Sequence, residues 1–107
     1  MPLHIDAIAK VLINHGEMFH GGEPRPTARE WDSYLFTSVA VDQWCSIGVW
    51  DPRVADFFAR NGMTPAYVKY MAKRMVEADA YTDGCPIYAA CNGDLDPQRI
   101  VDAYRNS

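Results

Sequence analysis

The sequence lacks the features that mark membrane, secreted and disulfide-stabilised proteins. No apolar run approaches the ~20 residues that a membrane-spanning helix needs. The opening residues Met-Pro-Leu-His-Ile-Asp have neither the charged nor the apolar region of a signal peptide. The three cysteines, Cys45, Cys85 and Cys91, are odd in number and have no paired-motif spacing. We therefore expect reduced thiols in a cytoplasmic protein that has no membrane partner, and we expect Cys85 and Cys91 to be small core residues.

Motifs for catalysis and for metal or phosphate binding are also missing. The chain has no Gly-rich phosphate loop, nucleophile elbow or HExxH sequence. His15, Glu17 and His20 lie close together, but their spacing matches no known metal motif. Residues 79–84 resemble the start of an EF-hand loop, yet Ala90 occupies the twelfth position, where calcium needs a bidentate Glu. We expect no metal, no cofactor and no enzyme activity.

The composition is that of one globular domain. The chain has 107 residues, of which 49% are apolar, and it contains three Trp, six Tyr and four Phe. These large side chains supply enough buriable surface for a core, which argues against disorder. The length is that of a single domain covering residues 1–107.

The charge of the chain is acidic in total and uneven along its length. Its 10 basic and 14 acidic residues give a formal net charge of −4, which argues against a general affinity for nucleic acid. Residues 53–74 carry five basic residues and one acidic residue, whereas residues 75–98 carry five acidic residues and no Lys or Arg. We interpret the two segments as solvated faces that balance each other.

Three dipeptides mark helix starts in the C-terminal half: Asp51-Pro52, Thr64-Pro65 and Asp96-Pro97. The Asp or Thr side chain accepts a hydrogen bond from the first turn, and the proline has its φ preset for a helix and no N–H to leave unpaired. Gly62 and Asn92-Gly93 mark helix ends. The pattern predicts helices at residues 52–61, 65–80, 85–92 and 97–105.

The N-terminal half also reads as helical. Ile5, Ile8, Ala9, Leu12 and Ile13 recur at helical spacing, which predicts a helix over residues 4–15 that ends at Gly16. A loop over residues 16–26 follows, rich in glycine and proline.

Thr27 and Glu30 form a capping box, which predicts a helix from residue 28 to about residue 47. Its buried face would carry Trp31, Leu35, Val39, Trp44 and Cys45. The alternative is a strand over residues 34–41, because that segment is rich in aromatic and β-branched residues and also fits an alternating pattern. We expect an all-α fold, a compact single-domain bundle of five or six short helices.

The segment 53–74 resembles a helix-turn-helix hairpin. Gly62-Met63-Thr64 is a three-residue turn that contains glycine, and the second helix carries Lys69, Lys73 and Arg74. Phe58, however, falls where such units keep a small residue. Pro65-Ala66-Tyr67 occupies the positions that should reach base edges, and none of these side chains suits base recognition. The alternative is a plain αα-hairpin.

The surplus of aromatic residues points to protein binding. A bundle of this size cannot bury every ring, and exposed Tyr and Trp anchor protein interfaces. Tyr67 and Tyr70 are the rings that we expect at the surface, interleaved with Lys69. We expect a small cytoplasmic regulator, inhibitor or adaptor that docks on a protein partner. The binding residues that we expect are Tyr67, Lys69, Tyr70, Lys73 and Arg74.

The alternative function is a helix-turn-helix transcriptional regulator. In that case Lys69, Lys73 and Arg74 would contact DNA phosphates.

Overall fold

The computed structural model describes residues 3–16, 19–20, 23–24, 27–78 and 84–106 of the chain, with backbone only at residues 3–4, 19–20 and 23–24. The fold is all-α, as the sequence predicts, with seven helices in the described part. They are α1 (Leu3–His15), α2 (Ala28–Ser33), α3 (Ser38–Ser46), α4 (Pro52–Arg60), α5 (Pro65–Glu77), α6 (Pro86–Asn92) and α7 (Gln98–Arg105). A two-residue antiparallel ladder pairs β1 (Phe19–His20) with β2 (Glu23–Pro24). Across the described ranges, no helix combines the length and the apolar character needed to cross a bilayer.

The contacts divide the chain into two compact units, Met1–Arg53 and Val54–Ser107. In the first unit, α1 packs against both α2 and α3. The large buried apolar side chains of this unit are Ile8, Leu12, Trp31, Phe36, Val41, Trp44 and Val49. In the second unit, α5 packs against α6 and α7. The corresponding buried side chains there are Val54, Phe58, Met63, Val68, Met71, Met75, Ile87, Leu95, Ile100 and Val101.

The three helix starts predicted from dipeptides are all formed by the expected side chains. Asp51 Oδ1 accepts the Arg53 N–H at 2.9 Å, Thr64 Oγ1 accepts the Tyr67 N–H at 3.3 Å, and Asp96 Oδ1 accepts the Gln98 N–H at 2.9 Å. Each bond satisfies one backbone donor that the helix itself leaves unpaired. The predicted starts of α4, α5 and α7 are therefore correct to within one residue.

The predicted single helix over residues 28–47 is wrong, because the chain breaks it at Leu35. The capping box at Thr27 begins α2 as expected, but the helix ends after one and a half turns. The Leu35 N–H donates to Asp32 O at 2.8 Å and the Phe36 N–H donates to Trp31 O at 3.5 Å. This pair of bonds is a Schellman motif with Leu35 in the left-handed region, at φ 66°.

The contact that accompanies the break is between Trp31 and Phe36. Their rings meet edge to face with centroids 5.2 Å apart, and both side chains are buried. A hydrophobic contact between these two positions is the usual companion of the Schellman motif. Thr37 then caps a new helix, since its Oγ1 accepts the Ala40 N–H at 3.1 Å.

Because α3 starts afresh at Ser38, its buried face does not continue that of α2. Trp31, Trp44 and Cys45 are buried as predicted, but Leu35 is 89% exposed and Val39 is 66% exposed. The alternative of a strand over residues 34–41 is also wrong, since this segment consists of a turn, two irregular residues and the start of α3.

Two further burial assignments are wrong. Ile13, which belongs to the apolar stripe that we expect on α1, is largely exposed near the end of that helix. Cys85 is exposed at the start of α6, whereas Cys91 is buried as expected.

We predict that Leu35→Gly stabilises the protein by about 0.5–1 kcal/mol in a urea denaturation experiment. A non-glycine residue in the left-handed region costs roughly 1–2 kcal/mol. Glycine removes this strain and returns about 0.5–1 kcal/mol of it through the flexibility of the unfolded chain. Leu35→Ala is the matched control: it keeps the strain and removes a side chain that is already exposed, so stability should change by less than about 0.5 kcal/mol. A loss of stability in the glycine variant would contradict this assignment of strain.

We predict that Asp51→Ala costs about 2 kcal/mol and Asp96→Ala about 1 kcal/mol, measured by chemical denaturation. Both lose a helix cap, which is worth about 1 kcal/mol. The Asp51 carboxylate is only 2% exposed, and it also accepts bonds from the Arg53 guanidinium at 2.9 and 3.3 Å. Asp51→Asn keeps an acceptor for the Arg53 N–H and should recover much of the loss. Equal costs for the two alanine variants would show that the side-chain pair contributes nothing.

Candidate functional site: the exposed face of helix α5

Helix α5 has a buried face and an exposed face with the same spacing. The buried residues are Val68, Met71, Ala72 and Met75. The exposed residues at the centre of the opposite face are Ala66, Lys69, Tyr70, Lys73 and Glu77. The exposed set starts two residues before the buried set, so the two faces are about 200° apart around the helix axis. Tyr67 and Arg74 lie beside the exposed set, so all five expected binding residues are brought together on one helix surface.

Tyr70 and Arg74 form a paired unit on this surface. The Arg74 Nη1 donates to the Tyr70 Oη at 3.0 Å, and the guanidinium carbon lies 5.7 Å from the centroid of the tyrosine ring. The hydrogen bond to Tyr70 is the main cause that raises the pKa of Arg74 above its ordinary value. The two residues are one turn apart, which places their side chains within reach of each other. The contact orders two long side chains that would otherwise rotate freely.

Tyr67 is held from the neighbouring helix. Its ring lies 5.4 Å from that of Tyr104 on α7, with the two planes inclined at 48°. Tyr67 is 50% exposed and Tyr70 is 52% exposed, so the prediction that these two rings reach the surface is confirmed. Each of the two residues thus keeps about half of its surface open to solvent.

The basic charge of the hairpin is concentrated in α5. Arg53 pairs with Asp51 at 2.9 Å, and Arg60 pairs with Asp56 at 2.7 Å. By contrast, no carboxylate of the described residues lies within ion-pair distance of Lys69 or Lys73. Glu77 contributes a negative charge near Arg74, at the C-terminal end of the helix. The surplus positive charge of residues 53–74 is therefore presented by the two lysines and Arg74.

A shallow open hollow of about 320 Å³ adjoins the Tyr70–Arg74 pair. Tyr70, Arg74, Glu77 and Ala78 line it. It places an aromatic ring, a guanidinium and a carboxylate around one small concave surface at the end of α5. The hollow is open to solvent and does not enclose a cavity.

The turn before α5 closes α4 through a second Schellman motif. The Met63 N–H donates to Phe58 O at 3.0 Å, and the Gly62 N–H donates to Ala59 O at 3.1 Å. Gly62 has φ 79°, and a Cβ there would meet nothing within 4 Å, so its backbone conformation alone calls for glycine. Phe58, the residue at odds with a helix-turn-helix unit, is fully buried. At the start of α5, Pro65 is partly buried and only Ala66 and Tyr67 are exposed.

The other polar residues that the sequence singled out do not gather into a site. His15 Nε2 lies 2.7 Å from Asp42 Oδ1 and joins α1 to α3. The side chains of Glu17 and His20, and residues 79–83 of the EF-hand-like segment, lie outside the described residues. In the part of the chain that the structure describes, no three His, Cys, Asp or Glu side chains are arranged to hold a metal ion.

Sequence reasoning missed an exposed apolar pair in the first unit. Leu35 and Val39 were assigned to a buried face, and both are exposed. The sequence signal was the pair Trp31 and Phe36, five residues apart, which is the spacing of the hydrophobic contact in a Schellman motif. This signal is easily overlooked, because the left-handed residue of the motif is Leu35, where glycine is usual.

Comparison with known proteins adds no relative to this description. The chain matches no protein-family model, no curated protein sequence and no solved structure at a significant level. The residues and their geometry therefore carry the functional argument.

Proposed function

We propose that the chain is a small cytoplasmic regulator, inhibitor or adaptor that docks on a protein partner through the exposed face of α5. The observation that carries the proposal is the Tyr70–Arg74 pair, which is exposed yet ordered by a hydrogen bond and by a cation–π contact. Tyr and Arg are two of the residue types that dominate binding energy at protein interfaces. A pair that is ordered before binding loses less side-chain freedom when the partner arrives.

The environment of Tyr67 supports the same role. Contact with Tyr104 restrains the ring while leaving half of its surface exposed. Two restrained tyrosines one turn apart supply a large, rigid contact area at low entropic cost. Cys45, Cys85 and Cys91 form no disulfide, which fits the reducing environment of the cytoplasm.

The second candidate is a DNA-binding regulator. The observation in its favour is the unpaired charge of Lys69 and Lys73 beside Arg74. The exposed side chains at the start of α5 argue against it, since Ala66 and Tyr67 offer no bidentate partner for a base edge. The net charge of −4 also weakens the general attraction to a polyanion.

We predict that Tyr70→Ala weakens retention of a protein partner from a nuclease-treated host extract by about thirtyfold, or about 2 kcal/mol. Arg74→Ala should weaken it by tenfold or more, because Tyr70 then loses the contact that orders it. Tyr88→Ala is the matched control, since Tyr88 is an exposed tyrosine on α6. Retention that is equal for wild type and the Tyr70 variant, with circular dichroism showing both folded, would contradict the proposal.

We predict that the purified protein gives no tight, salt-sensitive mobility shift of a specific duplex. If it bound DNA through α5, each of Lys69→Ala, Lys73→Ala and Arg74→Ala would reduce the slope of log K against log salt by about one unit. A protein complex that depends on Tyr67 and Tyr70 should tolerate salt better, because much of its binding energy is apolar. A specific shift with that salt slope would favour the DNA-binding alternative.

A further inference from the structure

The α5 face carries a charge pattern that restricts the partner. Lys69 and Lys73 are one turn apart, so their backbone positions are separated by about 6 Å along the helix. Both side chains are exposed, and no described carboxylate pairs with them. Binding against a neutral or basic surface would desolvate these charges without compensation, which is unfavourable. The complementary surface must therefore supply negative groups at a similar spacing.

Arg74 extends the same requirement. Its guanidinium has five N–H donors, and the contact with Tyr70 uses one of them in the free protein. Carboxylates are the protein groups that match a guanidinium in geometry as well as in charge. Glu77 offsets part of the charge at this end of the helix, which leaves the positive surplus over the two lysines.

The rings of Tyr67 and Tyr70 set a second requirement. Each is about half exposed, and the hollow beside Tyr70 is lined by the ring and by Ala78 as well as by charged groups. An apolar or aromatic side chain placed against these rings buries area that a carboxylate alone leaves in water. The occupant therefore combines acidic groups with at least one apolar side chain.

We infer that the partner docks through an acidic, apolar-centred protein segment, with carboxylates on Lys69 and Lys73 and an apolar side chain on the Tyr67 and Tyr70 rings. This inference rests on the proposed docking function and names its partner chemistry. Two carboxylates one turn apart on a partner helix match the spacing of the two lysines. Such a segment also differs from a nucleic acid, whose phosphates would satisfy the lysines but bring no apolar side chain to the rings.

The test uses a synthetic helical peptide with Glu residues at i and i+4 beside a Phe, titrated into the ¹⁵N-labelled protein and followed by NMR. We expect amide shifts concentrated in residues 66–77, and binding at least tenfold tighter than that of the same peptide with Glu replaced by Gln or with Phe replaced by Ala. Lys69→Ala combined with Lys73→Ala should weaken binding tenfold or more. Lys10→Ala, which removes an exposed lysine from α1, should leave it unchanged.

Charge reversal separates this inference from the docking proposal itself. The double variant Lys69→Glu, Lys73→Glu should no longer bind the acidic peptide. The same variant should bind a matched peptide that has Lys in place of Glu. Equal binding of the Glu and Gln peptides, or a short DNA duplex that shifts the α5 amides at lower concentration than the peptide, would overturn the inference. If the charge-reversed protein still retains the host partner while Tyr70→Ala loses it, the acidic segment is wrong and the docking function stands.

Discussion

The structure depends on how its short helices end. Each α-helix leaves four backbone N–H groups and four carbonyl groups without partners inside the helix. In helices of two or three turns these groups are a large share of the backbone. Where their hydrogen bonds can be made therefore determines where each helix begins and ends. In this chain, the side chains of Asp51, Thr64 and Asp96 accept hydrogen bonds from N–H groups at helix starts. Turns with a left-handed residue at Gly62 and at Leu35 bond carbonyl groups at helix ends. Within these limits, the buried face of each helix is set by the spacing of its apolar residues.

The candidate site is a consequence of the same constraint. The Schellman turn at Gly62 and the cap at Thr64 set the first residue of α5. From that start, helical geometry turns Val68 and Met71 toward the core and Lys69 and Tyr70 toward solvent. The exposed combination of rings and lysines is thus linked to two local backbone features that precede α5, at Gly62 and Thr64.

The helix limits that were predicted correctly are those with a local chemical cause. Asp-Pro and Thr-Pro act within four residues, so Asp51, Thr64 and Asp96 are readable without knowledge of the fold. The break at Leu35 could not be predicted from such a local signal, because its cause is the burial of Trp31 against Phe36. The residue that adopts the strained left-handed conformation there is a leucine, where glycine is usual. The packing energy of two large rings outweighs roughly 1–2 kcal/mol of backbone strain. A search for helix ends that requires glycine at the left-handed position therefore misses the end of α2.

The same distinction applies to the site. The exposure of Tyr67 and Tyr70 follows from helical spacing, and the Tyr70–Arg74 contact follows from a separation of four residues. The contact of Tyr67 with Tyr104 joins residues far apart in sequence, so it became visible only with the packing of α7 on α5. The charge of the hairpin could be counted from the sequence, but its distribution became visible only with the ion pairs that Arg53 forms with Asp51 and Arg60 with Asp56.

That distribution bears on the choice between the two functions. A DNA-binding hairpin gains affinity from every cation that reaches a phosphate. Here the two cations of the hairpin outside α5, Arg53 and Arg60, are paired with carboxylates, one of which is the buried cap of α4. This leaves three basic side chains of the hairpin on the exposed face of α5. Three charges share this surface with two tyrosine rings that are about half exposed. Such a mixture suits a protein surface better than a phosphate backbone, because only the protein offers apolar side chains for the rings to cover.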